Sequence, residues 1–267
     1  MSSKLSNLEN LAIGVSAGTI EVSILQPMLY FKNATQQRLP LSLNPKIVYR
    51  GLSMSIVNMS VLAGLQFPLT GAVKKLVTGG EERELSMTEM ILSGFAGGAI
   101  SGVACAPMEL VVIQQQRFGG TLLGTPTRIA NAAGGSTLFR GLLTSMGREG
   151  CFTAGYLGIG PALTDKLQKD HGLSSGMAKV GGAVAGGVIA ATLSHPLDTI
   201  KTCMQGDIEK ESYTSLSGTA SKLFAEGGAG RFFTGWGWRT GRMICAVFIM
   251  GQCKEILSPL FFPHHFT

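Results

Sequence analysis

The sequence predicts an all-α membrane protein in which six transmembrane helices form three pseudo-symmetric two-helix repeats. Hydrophobic residues make up 45% of its 267 residues and charged residues only 14%, whereas about 25% of the residues in a soluble domain are charged. Glycine is abundant, at 37 residues, without the triplet period of collagen. A threefold internal repeat is the third observation. This apolar composition excludes a disordered chain and a nucleic-acid-binding protein.

Long uncharged runs mark three of the predicted membrane spans. Residues 51–73, 90–108 and 180–197 carry no Asp, Glu, Lys or Arg, and about 18–20 such residues suffice to cross a bilayer. Three further apolar segments are interrupted by charged residues: 11–31, 142–163 and 236–257. Charges inside a span are costly and normally face a polar interior. The interrupted segments therefore predict a central cavity.

Basic residues between the spans predict a multi-pass topology with both termini on one side. More lysine and arginine is found in residues 38–50, 117–140 and 206–231 than in residues 79–89 and 165–175. Loops rich in these residues tend to lie on the same side of a membrane. We expect the first three segments on that side and both termini on the other. The net charge of +6 fits anionic lipid headgroups, anionic solutes or a solvated basic face.

Three positions recur in register along the chain and define the repeats, which cover residues 8–78, 88–169 and 176–260 of one domain, 1–267. They are the prolines Pro27, Pro107 and Pro196, the glycines Gly18, Gly98 and Gly187, and the glutamines Gln36, Gln116 and Gln205. Small residues let helices approach closely in lipid. A proline inside a helix removes a hydrogen bond and produces a kink. We therefore expect the three proline-containing helices to converge at one end of the bundle.

The hexapeptide at residues 196–201, Pro-Leu-Asp-Thr-Ile-Lys, combines a proline, an acid and a base at fixed spacing. Together with the repeat, it resembles the signature of the mitochondrial carrier family. The first copy has Leu29 in place of the acid, and the second has Val112 in place of the base. The resemblance covers residues 8–259. It implies the mitochondrial carrier fold, a multi-pass position in the inner mitochondrial membrane, and transport without catalysis or a cofactor.

The resemblance also implies two gates. On the matrix side, the acid of each odd-numbered helix pairs with the base of the next, and glutamines at Gln36, Gln116 and Gln205 brace the pairs. Carried onto this sequence, the pairs are Leu29 with Val112, Glu109 with Lys201, and Asp198 with Lys32. Both lost charges fall in one pair, which avoids leaving an unpaired buried charge at a cost of about 3–5 kcal/mol. On the cytoplasmic side, the oppositely charged pair that remains is Lys74 with Glu255.

The substrate contact points implied by the resemblance are Asn58, Arg148 with Glu149, and Arg242. Two arginines can hold a carboxylate through bidentate hydrogen bonds, and Glu149 could accept an ammonium group. In carriers of this type, an arginine–acid pair on the fourth helix goes with amino-acid-like substrates, so nucleotides are disfavoured. Arg239, one turn before Arg242, is assigned a structural role.

Glu21 is an independent candidate. It precedes Lys32 by 11 residues, which places both on one helix face at about 100° per residue. We expect it to line the cavity, where it has a solute or proton role or forms a salt bridge to Arg148 or Arg242.

These residues favour a transporter that exchanges a small carboxylate-bearing metabolite, an amino acid or related organic acid, by alternating access. The alternative is a carrier-fold protein with a structural or assembly role in a larger membrane complex, because the gates are eroded. Expected partners are a small-molecule solute and membrane lipids such as cardiolipin, and not nucleic acid. No metal site is predicted, because the four histidines lack metal-ligand spacing. They are His171, His195, His264 and His265.

Overall fold

A computed structural model describes residues 5–81, 83 and 85–265, and the regular structure in these residues is helical. In chain order the α-helices are α1 (Asn7–Gln36), α2 (Pro45–Val48), α3 (Leu52–Val77), α4 (Met87–Phe118), α5 (Gly124–Ala133), α6 (Leu142–Ala154), α7 (Gly160–His171), α8 (Ser175–Gly206), α9 (Leu216–Arg231) and α10 (Trp236–Phe261). A π-helical turn, Gly155–Ile159, joins α6 to α7. Short 3-10 helices lie at Gly135–Phe139 and Pro263–His265.

Five helices in the described part of the chain are long and apolar enough to cross a membrane. They are α1, α3, α4, α8 and α10, which match five of the six predicted spans. The predicted span 142–163 is instead an interrupted helix, in which α6, the π-helical turn and the start of α7 follow one another directly. Pro161 explains part of this interruption, because it has no amide hydrogen to donate to the preceding turn. Five of the six predicted spans are thus single long helices, and the sixth is built from two shorter ones.

The spanning helices pack in chain order and close into a ring. Helix α1 packs against α3, α3 against α4, and α4 against α6. Helices α6 and α7 pack against α8, α8 against α10, and α10 returns to α1. Pro27, Pro107 and Pro196 lie inside α1, α4 and α8, as the repeat predicts.

Glycine residues allow α4 and α6 to pack closely. A Cβ atom on Gly98 would lie 2.6 Å from the carbonyl oxygen of Glu149, and one on Gly102 would lie 2.8 Å from Cα of Met146. These distances are shorter than a van der Waals contact, so a larger residue would push the helices apart. The seam holds the Arg148–Glu149 segment of α6 firmly against α4.

Candidate functional site

Five helices bring a group of charged side chains together inside the ring. We call this group the charge cluster, and it comprises Lys32 of α1, Glu109 of α4, Arg148 and Glu149 of α6, Asp198 and Lys201 of α8, and Arg239 of α10. None of these side chains is more than 14% exposed. Buried charges are stable only when they are paired and hydrogen-bonded, so the contacts within the cluster determine what it can do.

Asp198 links α8 to α1. Lys32 Nζ lies 2.7 Å from Asp198 Oδ2, and Gln36 Nε2 donates a hydrogen bond to the same oxygen at 3.0 Å. Nitrogen atoms of Lys201, Arg148 and Arg239 lie between 3.5 and 3.7 Å from this carboxylate. The structure thus brings together one predicted pair and surrounds its acid with further cations.

Glu109 links α4 to α8 and also to α6. Lys201 Nζ lies 3.1 Å from Glu109 Oε1, so the second predicted ion pair is in contact. Arg148 contacts the same oxygen and also contacts Glu149, while Ser145 Oγ donates to Glu109 Oε2 at 3.0 Å. Arg148 is therefore already engaged by acidic side chains within the cluster.

The α1–α4 side of the ring is uncharged. Leu29 packs against a hydrophobic cluster that includes Val112, Leu110 and Met54. Beside it, Asn33 Nδ2 donates to Gln116 Oε1 at 2.6 Å. Sequence reasoning missed Asn33, because its position does not recur as part of the charged motif. An apolar contact and an amide–amide hydrogen bond thus stand where an ion pair was lost.

The three predicted brace glutamines have different partners. Gln36 reaches an ion pair, through Asp198, and Gln116 accepts from Asn33. Gln205 Nε2 instead donates to the carbonyl oxygens of Ala106 and Arg140, both at 3.2 Å. It ties helix backbones together, and among the contacts described it does not reach the predicted Glu109–Lys201 pair.

A cavity of about 180 Å³ lies against the charge cluster. All the predicted contact points line it, and so does Arg239: the lining includes Asn58, Arg148, Glu149, Arg239 and Arg242. Five cationic and three acidic side chains line the cavity. Its surroundings are therefore more positive than negative.

Arg242 and Glu21 form a salt bridge at the edge of this cavity. Arg242 Nη2 lies 2.8 Å from Glu21 Oε1, which is one of the predicted salt bridges. Glu21 is not among the residues that line the cavity, although it was expected there. Within the described residues, Arg242 Nε, Asn58 Oδ1 and Ser55 Oγ have no hydrogen-bond partner although these atoms are buried. Unpaired buried polar atoms are costly, and here they are available to a bound molecule.

The predicted cytoplasmic pair is apart. Lys74 lies in the last turn of α3 and Glu255 near the end of α10, and no ion pair within 4.0 Å joins them in the described part of the chain. Glu255 is exposed and Lys74 is half-buried. Their role as a gate stays a prediction.

Outside the spanning segments, Arg231 connects α9 to the end of α1 through hydrogen bonds. Its Nη2 donates to the carbonyl oxygen of Gln36 at 2.8 Å, and its Nε donates to Glu226 Oε2 at 2.9 Å. The Tyr213 hydroxyl donates to Glu226 Oε1 at 3.2 Å. Burial raises the pKa of Glu226, but the hydrogen bond and positive charge of Arg231 outweigh it and hold the pKa below its usual value.

Comparison with known proteins identifies relatives of this architecture. Residues 83–171 and 174–265 match the family described as mitochondrial carrier protein. An uncharacterized mitochondrial carrier of Schizosaccharomyces pombe is 29% identical over 97% of this chain and 96% of its own. The tricarboxylate transport protein of Saccharomyces cerevisiae is 27% identical, over 89% of this chain and 90% of its own. A mitochondrial glycine transporter of the same yeast is 26% identical, over 86% and 84%.

Proposed function

This chain belongs to the mitochondrial carrier family, and from this premise we propose that it exchanges a small carboxylate-bearing metabolite, an amino acid or related organic acid, across the inner mitochondrial membrane. The observation that carries the proposal is the charge of the cavity, which has five cationic and three acidic side chains. An excess of positive charge in surroundings of low dielectric constant favours the binding of an anionic solute. The relatives named as tricarboxylate and glycine transporters carry molecules with carboxylate groups.

Arg242 is the principal ligand for the solute carboxylate in this proposal. Its described ion pair is with Glu21, and its side chain remains 30% exposed. Arg148, by contrast, is 14% exposed and contacts Glu109 and Glu149. A solute carboxylate can therefore reach Arg242 at the cost of one salt bridge, whereas binding to Arg148 requires rearrangement of the charge cluster. Asn58 and Glu149 then contact the rest of the solute.

The charge cluster is the matrix gate in this proposal. The Lys32–Asp198 and Glu109–Lys201 pairs must separate before the solute can leave toward the matrix, and Gln36 stabilises the closed state by its bond to Asp198. Lys74 and Glu255, which are apart here, pair in the opposite state. Alternating access requires that solute binding favours the transition between these states.

The test combines binding with transport. We expect carboxylates, but not nucleotides, to raise the melting temperature of the purified protein, because a solute that binds the folded state stabilises it by mass action. The same solutes should exchange across liposomes that contain the protein. Arg242→Ala should lower apparent affinity by about 10-fold or more, because it removes charge-assisted hydrogen bonds.

Arg128→Ala is the matched control, because Arg128 is an exposed arginine of α5 that does not line the cavity. An equal loss of affinity in the two variants would contradict the assignment of Arg242. A response to nucleotides rather than to carboxylates would contradict the solute class.

A structural or assembly role remains the second candidate, and one observation favours it. The gates are eroded: Leu29 and Val112 leave one predicted matrix pair without charge, and Lys74 with Glu255 is the cytoplasmic pair that keeps opposite charges. If no solute class shifts the melting temperature of well-folded protein and no exchange occurs in liposomes, this role is favoured. Co-purification of the chain with a larger membrane complex would then support it.

A further inference from the structure

The two ends of the described chain meet at one place on the surface. Glu9, in the first turn of α1, lies beside His264 and His265, which follow α10. Glu9 Oε1 is 3.1 Å from His265 Nε2 and 3.7 Å from His264 Nε2. One ligand atom from each of the three residues falls within 4.8 Å of the other two. Sequence spacing could not reveal this group, because the ring of helices alone brings the two ends together.

We propose that Glu9, His264 and His265 form a binding site for a divalent transition metal ion, with Zn²⁺ as the best match. Two imidazole nitrogens and one carboxylate oxygen are a ligand set typical of zinc, with a fourth position left for water. Calcium and magnesium prefer oxygen ligands alone, so this set disfavours them. Ligand atoms about 2.0–2.2 Å from a tetrahedral zinc lie about 3.4 Å apart. The Glu9–His265 and Glu9–His264 distances of 3.1 and 3.7 Å fall on either side of this value.

Neighbouring groups orient the ligands. The backbone amide of Ser6 donates to Glu9 Oε2 at 2.7 Å, and Oε1 and Oε2 of Glu9 lie 3.1 and 3.2 Å from His265 Nε2. The backbone amide of His265 donates to the Phe262 carbonyl at 3.1 Å, so a 3-10 turn positions both imidazoles. Hydrogen-bonded support of this kind fixes the orientation of metal ligands.

The bound ion would join the first helix to the last. Ile13 and Ala17 of α1 pack against Leu257 of α10, and Phe262 and Leu5 extend this contact toward the site. This seam closes the ring of helices. Hydrophobic packing, the Glu9–His265 contact and the Arg242–Glu21 salt bridge already join the two helices. A metal bridge adds a further link at the end of the seam, so zinc should stabilise the folded protein whether or not the protein transports a solute.

The experiment uses the full chain, purified in detergent without a histidine tag and stripped of metal with a chelator. Zinc chloride is titrated, with metal content measured after dialysis and the melting temperature measured in parallel. We expect one Zn²⁺ per chain, a saturable rise in melting temperature, and no comparable response to Mg²⁺ or Ca²⁺. Glu9→Gln, His264→Ala and His265→Ala should each weaken zinc binding by about 10-fold or more.

His171→Ala is the matched control, since His171 is an exposed histidine at the end of α7, and it should bind zinc as the parent protein does. The ligand variants change partly exposed side chains, so their melting temperatures without metal report whether they fold. Zinc binding that persists in the triple variant would overturn the site. Binding that depends on the histidines but not on Glu9 would overturn the bridge between α1 and α10.

Discussion

Helix α1 meets two neighbours at the same end of the bundle, and the two interfaces use different chemistry. Toward α8, Lys32 forms an ion pair with Asp198, which also accepts a hydrogen bond from Gln36. Toward α4, Leu29 packs into an apolar cluster and Asn33 donates to an uncharged glutamine. Residues within about two turns of the same helix thus hold one neighbour by charge and the other without it.

The difference shows how an ionic link can be lost without loss of the interface. Removing one member of a buried pair leaves a charge without a partner, whereas replacing both by apolar residues can be neutral. Leu29 and Val112 are the two members of a single predicted pair, so the charges are absent together. The amide hydrogen bond between Asn33 and Gln116 then fixes the relative orientation of the two helices, because a hydrogen bond has a preferred geometry and apolar packing does not. Three sets of variants test whether the two interfaces differ in this way, and a fourth set at the far end of the bundle provides a comparison.

The largest effect should come from Asp198→Asn in the ionic interface. This change leaves Lys32, which is 6% exposed, without its acid, and we expect a loss of about 3–5 kcal/mol in stability. Thermal or denaturant unfolding in detergent measures it. Asp165→Asn changes an exposed aspartate of α7 and should have little effect. Equal stability of the two variants would show that the buried cluster does not hold α1 to α8.

A charge placed in the apolar interface should cost less, because Leu29 is only half-buried. Leu29→Asp should lower stability by about 2 kcal/mol. Adding Val112→Lys should recover part of the loss, with a coupling energy of about 0.5–3 kcal/mol. A double-mutant cycle from the same unfolding assay gives this coupling. Strictly additive losses would mean that the two positions no longer face each other as an ion pair requires.

The amide link should contribute a smaller amount. Asn33→Ala removes the donor to Gln116 Oε1, which stays buried, and we expect a loss of about 1 kcal/mol. Replacing Asn33 and Gln116 together by leucine removes both polar partners and should cost less than the single change. A larger loss in the double variant than in Asn33→Ala would contradict the idea that the unpaired amide is the source of the cost.

The smallest effect should come from the far end of the bundle. Glu255→Gln should change stability by no more than about 0.5 kcal/mol, because Glu255 is exposed and Lys74 is not within ion-pair distance. The same unfolding assay applies, with Lys74→Gln as the companion variant. A loss above about 1 kcal/mol that both variants share would indicate that the pair forms in the purified protein.

The repeat and the family resemblance predicted much of this arrangement and left out what does not repeat. The Lys32–Asp198 and Glu109–Lys201 contacts follow from the pairing of acid and base that the resemblance implies. The contact of Arg148 with Glu109 does not follow from this pairing, because Arg148 lies on an even-numbered helix and has no counterpart in the motif. Its consequence is practical. Exchanging the charges of Glu109 and Lys201 would place a lysine beside Arg148, so this pair cannot be tested by charge reversal alone.

Membrane hydropathy likewise predicted the uninterrupted spans better than the broken one. The long uncharged runs at residues 51–73, 90–108 and 180–197 identify α3, α4 and α8. In the span around Arg148 and Glu149, the short helix α6 directs both charged side chains into the cluster. Its continuation into α7 depends on a π-helical turn, which the composition does not predict. The meeting of Glu9 with His265 is similarly a property of the closed ring rather than of any local pattern.

The wide turn at Gly155–Ile159 alters the angular phase of the helix that contains it. One extra residue in an α-helix rotates everything beyond it by about 100°. The turn therefore changes the rotation of α7 about the helix axis relative to α6. As a result, Arg148 of α6 faces the charge cluster while a different side of the helix packs against α8 in α7. There, a Cβ atom on Gly186 would lie 2.7 Å from Cα of Gly160. Deleting one residue from the turn would remove this extra rotation between α6 and α7. Either Arg148 and Glu149 would then rotate away from the cluster, or α7 would lose its contact with α8.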